Sequence, residues 1–252
     1  MKKLLAIIAI LLIFPSTAFA AIAWDAAGSS NGGASWTQNT SSYNFSFTVG
    51  SLTNGIMVCG VTIYSSAVRT VSGITYTGGS MTKINAIAAT LEGFNQSTEL
   101  WYGLAPSSGS NTVTITLSGT AEYTTTNCST YSGVSQSSPI DSNNTGQNTS
   151  NASSFTLTDT VVGSNTWLVG YAWNRDTSIS AGSGTTLRVT NTGSISTLSD
   201  SAAVVGTGSQ TQNYNVTGSA ATWPGGNIIA LTPAGAVTTN FPTIQDIISF
   251  ME

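Results

Sequence analysis

The 252-residue chain contains no histidine, and only 6% of its residues are charged. Missing histidine removes the usual general base near neutral pH and the commonest zinc ligand. Basic residues are scarce: six in all, of which Lys2 and Lys3 sit in an N-terminal leader. Without that leader, Arg69, Lys83, Arg175 and Arg188 face ten acidic residues, a net charge of −6. So few cations cannot drive the counterion release that underlies phosphate binding, so nucleic acid is not an expected partner. Anionic membrane surfaces are disfavoured on the same ground. A helical period of 3.6 is also lacking between Ala21 and Ala236, as is any second long apolar run.

The leader itself is readable. Two lysines precede an apolar run from Leu4 to Phe14, Pro15 and Ser16 break it, and Ala18-Phe19-Ala20 gives the small-x-small pattern of signal peptidase sites. The run is too short for a membrane-spanning helix, which needs about 20 residues. The sequence therefore predicts a signal peptide over residues 1–20, cleaved after Ala20, and a secreted or cell-surface product with no integral membrane segment.

Ser, Thr, Asn and Gly dominate the remainder, yet Trp, Tyr, Val and Ile recur in short β-branched runs punctuated by turn residues. Alternation is clearest at Met57, Cys59, Val61 and Ile63 and at Val113, Ile115 and Leu117, which would each line one face of a strand. An all-β domain over residues 21–234 follows.

The halves of that domain resemble one another. Asn54-Gly55-Ile56-Met57-Val58-Cys59 parallels Asn165-Thr166-Trp167-Leu168-Val169-Gly170. Gly79 to Ile84 parallels Gly184 to Val189, and Leu117 to Ala121 parallels Val216 to Ala220. The offset drifts between about 99 and 111 residues, as unequal loops would make it. Two similar strand series predict a single jelly-roll-like β-sandwich in which each half contributes to both sheets. The alternative is two tandem immunoglobulin-like domains of roughly 100 residues each.

The phrases at 54–61, 71–84, 99–106 (Glu-Leu-Trp-Tyr-Gly-Leu-Ala-Pro) and 111–119, with Tyr131-Ser132-Gly133-Val134 and Ser138-Pro139-Ile140, resemble exported β-sandwich domains of phage tail or fibre proteins and bacterial surface proteins. The resemblance spans about Trp24 to Pro233. It implies the fold and a surface location, and it transfers no functional residue.

Cys59 and Cys128 would lie on strands of the first half. In an oxidising compartment they could close a long loop as a disulfide, or stay as two buried thiols. Aromatic residues are the main lead to a ligand. Trp36, Trp101, Trp173 and Trp223 are the candidates for presenting ring faces to a glycan or other surface polymer, with core packing as the competing fate. Glu92, Glu99 and Glu122 are the carboxylates a glycoside hydrolase would need, though their scatter shows no paired spacing. Asp141, Asn143 and Thr145, followed by Gly146, echo the first half of a calcium loop, but Ala152 stands where a bidentate Glu belongs. No other cofactor is expected. After a linker from Gly235, residues 243–251 would form a short helix with Ile244, Ile247, Ile248 and Met251 on one face. A helix this short needs a docking partner, its own domain or a second copy. The function these features favour is a non-catalytic binding or adhesion module. A structural subunit of a fibre, virion or surface layer is the alternative, and a glycan hydrolase comes last.

Overall fold

The computed structural model describes residues 20–30, 37–91, 93–148, 152–174, 178–191, 195–217 and 224–235. The expected signal peptide and C-terminal helix, together with Trp36, Glu92 and Trp223, lie outside the described residues. Among the described residues every regular element is a strand, and Ala21–Ala234 forms one compact unit. No described helix is long and apolar enough to cross a membrane.

The first half contains β1 (Ala23–Ser29), β2 (Thr37–Val49), β3 (Ile56–Ser65), β4 (Val71–Tyr76), β5 (Gly79–Ser80), β6 (Thr82–Leu91), β7 (Phe94–Leu104) and β8 (Gly109–Ser132). The second contains β9 (Ile140–Gln147), β10 (Ser154–Val161), β11 (Trp167–Trp173), β12 (Ser178–Ala181), β13 (Thr186–Thr190), β14 (Ser196–Asp200), β15 (Gly208–Thr217) and β16 (Gly225–Leu231).

Strand β8 organises the first half. On one edge it pairs with β4 and then β3, and on the other with β2, which follows it as far as Thr124, and then β1. One layer thus runs β2–β8–β4–β5 and the other β1–β8–β3–β7–β6. The second half repeats this plan with β8 replaced by two strands. Its layers run β10–β15–β12 and β9–β16–β11–β14–β13.

Local backbone details repeat as well. Asn54 and Asn165 precede the central strands β3 and β11 with φ of 54° and 58°, a left-handed turn that Asn tolerates better than most residues. Gly109 and Gly208 open β8 and β15 with φ of 94° and 93°. Asp25 accepts a hydrogen bond from the Gly50 amide at 2.9 Å, and Asp141 does the same for Val162 at 2.7 Å.

Three apolar clusters follow from this layering. Met57, Cys59, Val61, Ile63, Val113 and Ile115 fill the space between the two layers of the first half. Phe155, Leu157, Leu168, Tyr214 and Ile228 do so in the second. A third cluster, with Ile56, Val58, Leu100, Tyr131, Val169, Tyr171 and Ile229, lies between the halves. The expectation of one two-sheet sandwich fed by both halves is therefore replaced by two sandwiches set face to face. The cause is visible in β3 and β11, every residue of which is buried. An alternating strand covers one face, whereas a strand buried on both needs a layer on each side.

The contact between the halves is close. A Cβ placed on Gly60 would stand 2.1 Å from the Tyr171 ring, so only glycine admits that ring against β3. Beside the apolar cluster runs a buried polar seam. Thr62 donates to the Tyr171 hydroxyl at 3.1 Å, and Asn127 donates to Ser196 Oγ at 3.1 Å. Ser196 in turn donates to Asn191 at 2.5 Å, and Asn227 donates to Asn85 at 2.8 Å. Each pairing offsets a desolvation cost of roughly 1–3 kcal/mol that an unmatched group would incur.

Cys59 and Cys128 face each other directly across β3 and β8, with Cα atoms 4.1 Å apart and the two sulfur atoms joined as a disulfide. The bridge spans a sequence separation of 69.

Two outcomes test this architecture. Gly60→Ala should lower the unfolding free energy by on the order of 3 kcal/mol through overpacking at Tyr171, read from the denaturant midpoint. Reduction of the disulfide should lower it by about 4 kcal/mol on loop entropy. An unchanged midpoint in reductant would show that the bridge constrains nothing.

Candidate functional site

Strand β8 changes partners between Leu117, which pairs with β4, and Tyr123, which pairs with β3. At this crossover the connection from β3 to β4 passes over the surface and makes one wall of a cleft of about 270 Å³. Arg69 and Thr70 line that wall, and Ala88, Thr90, Asn95 and Ser97 of the β6–β7 hairpin line the other.

The loop is tied down along its length. Glu122 accepts hydrogen bonds from the Ser65 and Ser66 hydroxyls and from the Ser66 amide, the last at 3.2 Å. Those hydroxyl donors hold its carboxyl down at about 2. Asn95 reaches across the cleft and donates to the Ser66 carbonyl at 3.0 Å. Ser118 brackets Thr70, donating its amide to the Thr70 carbonyl at 2.9 Å and accepting from the Thr70 amide at 3.1 Å. At the far end the Val71 amide donates to Glu99 at 2.9 Å.

Arg69 is fixed in the same way. Its Nε donates to the Thr120 carbonyl at 2.9 Å, and its Nη1 approaches the Val68 carbonyl at 3.4 Å. The guanidinium lies over Gly119, where an added Cβ would come within 3.1 Å of Cζ. Among the described residues the other two cations are spent on buried carboxylates: Lys83 on Glu99 at 3.1 Å and Arg188 on Asp200 at 2.6 Å. Arg69 has no such partner among the described residues.

The sequence-derived candidates fall elsewhere. Trp101 is buried, with its indole N–H donating to Glu99 at 3.1 Å and the Lys83 ammonium 5.6 Å from its ring centre. Trp173 is fully buried at the end of β11. Neither offers a ring face to solvent, because both sit on strand faces covered by a second layer. Trp36 and Trp223 are outside the described residues. Among the described residues the exposed tryptophan is Trp24, 39% accessible, whose ring packs under the Arg188 guanidinium at 4.7 Å.

Glu99 is fully buried and engages Lys83, Trp101 and the Val71 amide, so both its oxygens serve the fold. Glu122 anchors the loop, and Glu92 is not among the described residues. Asp141, Asn143 and Thr145 lie along the extended strand β9, where alternate side chains stand roughly 7 Å apart instead of converging as in a metal loop. The Asp141 carboxylate accepts from the Val162 and Gly163 amides at 2.7 and 2.8 Å. Its neighbour Asp159 is raised above the ordinary carboxylate range by burial, against the lowering effect of its Ser142 hydrogen bond. No cluster of three or more His, Cys, Asp or Glu suited to a metal occurs among the described residues.

Sequence reasoning therefore missed Arg69, Asn95 and Ser97. One signal could have found the first. In a chain with so few cations, each basic residue is worth placing individually, whereas Asn and Ser are too common to stand out.

Because Glu122 titrates lower folded than unfolded, its contribution to holding the loop is complete above the unfolded value of about 4.5 and fades as pH falls towards 2. A carboxyl NMR titration should place Glu122 near 2, well below its ordinary value of about 4.5, and Glu122→Gln should loosen Ser65 and Ser66 near neutral pH, seen as faster amide exchange. A Glu122 midpoint near 4.5 would contradict the anchoring. Comparison of the chain with protein families, curated proteins and solved structures finds no match.

Proposed function

We propose that the protein is a secreted, non-catalytic binding module that recognises a glycan or related surface polymer through the cleft beside Arg69. The observation that carries this reading is the pinned loop. Ser66, Arg69 and Thr70 are held by Glu122, Asn95, Thr120 and Ser118 before any ligand arrives. A site ordered in advance loses less conformational entropy on binding, which is where weak polar contacts usually lose their affinity. The cleft is just below the ~300–1,000 Å³ range of small-molecule sites and suits a sugar unit better than a protein segment. Its lining of hydroxyls, two amides, a guanidinium and the methyls of Val68, Ala88 and Ala89 matches the mixed polar and C–H surface of a sugar.

Export fits the rest of the reading. A signal peptide ending at Ala20 would deliver the chain to an oxidising compartment, where the Cys59–Cys128 bridge is stable. The strand orders β1–β8–β3–β7–β6 and β2–β8–β4–β5 support a jelly-roll winding for the first half, echoed in the second. Jelly rolls occur among lectin and capsid domains, so the fold is compatible with surface recognition and does not by itself select it.

A glycan screen followed by calorimetry tests the proposal. Arg69→Ala and Ser97→Ala should each weaken the best ligand by tenfold or more while leaving the thermal midpoint within a few degrees of the parent. A blank screen, or a ligand indifferent to both substitutions, would remove the cleft from consideration.

A further inference from the structure

Resting on the cleft being the binding site, we infer that its preferred ligand is an acidic sugar, a hexuronic-acid unit whose carboxylate is taken by Arg69. Three observations lead there. The first is charge accounting. Lys83 and Arg188 are consumed by Glu99 and Asp200, and Arg69 is the described cation left with no carboxylate. The second is geometry. Nε of Arg69 is taken by the Thr120 carbonyl, Nη1 approaches the Val68 carbonyl, and the flat position over Gly119 fixes the plane of the guanidinium. Nη2 has no hydrogen-bond partner among the described residues, and each terminal nitrogen carries two N–H groups, so the Nη1–Nη2 end keeps donors for a ligand. A guanidinium whose plane is set offers two parallel N–H groups to a planar carboxylate, a fit that a neutral hydroxyl uses only in part.

The third observation is the company Arg69 keeps. The carboxylate on its side of the cleft, Glu122, is turned towards Ser65 and Ser66 and is satisfied there. The cleft wall facing Arg69 presents Thr90, Asn95 and Ser97, which are neutral. The Ser97 hydroxyl is bonded to no described protein group, so it can meet a ring hydroxyl of the same sugar.

Calorimetric titration with α-linked trigalacturonate and with a hyaluronan tetrasaccharide, each beside its carboxyl-reduced neutral counterpart, tests the inference. One acidic probe should bind at least tenfold tighter than its reduced form, and the preference should shrink as salt is raised. Arg69→Ala should abolish that preference, and Arg69→Lys should restore it only in part, because the charge returns without the planar fork. Thermal unfolding of both variants guards against misfolding. Equal binding of acidic and reduced forms, or a preference untouched by Arg69→Ala, would overturn the carboxylate assignment and leave the glycan reading standing. Failure of both acidic probes while a neutral glycan from the screen binds would overturn it as well. A screen in which no glycan binds at all would remove both.

Discussion

Both faces of β3 and β11 are buried, and most of the architecture follows from that constraint. A strand covered on both sides must lie between two cores. Met57, Cys59, Val61 and Ile63 serve the core inside the first half, while Ile56 and Val58 serve the contact with the second. Leu168 and Ala172 play the first part in the second half, and Trp167, Val169 and Tyr171 the other. Large side chains buried on both faces, at roughly 1.5–3 kcal/mol each, make the halves mutually dependent. Gly60 shows how tight the arrangement is, because the Tyr171 ring occupies the space a Cβ would need. The polar seam through Thr62, Asn127, Ser196 and Asn227 adds direction to a contact that apolar packing alone would let slide.

The same economy governs charge. A buried carboxylate without a partner is costly, and the two halves meet that demand with similar pairs: Lys83 with Glu99 on β6 and β7, Arg188 with Asp200 on β13 and β14. Trp101 and Trp24 lie against those two cations, so each ring already has a cation over one face. In so charge-poor a protein, aromatic rings and cations that look functional in sequence are spent on closing the layers.

The fold class was legible because alternation in segments such as 57–63 and 113–117 marks a strand with one continuous apolar face, whatever covers the other. The repeat was legible too, and its paired Asn54 and Asn165 mark the same left-handed turn in both halves. How the halves combine was not. The alternation of Met57, Cys59, Val61 and Ile63 marks one covered face, but the intervening Val58, Gly60 and Thr62 do not announce that they are covered as well. Gly60 even reads as a strand weakener until Tyr171 is placed against it. The Cys59–Cys128 pairing depended on strand register, which neither residue's neighbours specify. The site was harder still. Trp101 and Trp173 were attractive because large aromatics bind sugars, yet the same area makes them effective core residues, and only burial separates the two fates.

The position of the cleft is itself a product of the layering. Strand β8 must leave β4 and join β3, and between Leu117 and Tyr123 its edge facing β3 and β4 is paired with neither. Its carbonyls and side chains there are free to hold a loop: Thr120 takes Arg69, Ser118 takes Thr70 and Glu122 takes Ser66. Gly119 is small enough to let the guanidinium lie flat. A strand changing layers exposes backbone that has to be satisfied, and satisfying it with a loop creates an ordered recess on the surface at no further cost in flexible chain. The recess therefore follows from the same β8 crossover that joins the two layers of the first half, and its prearranged character comes from the hydrogen bonds that crossover requires.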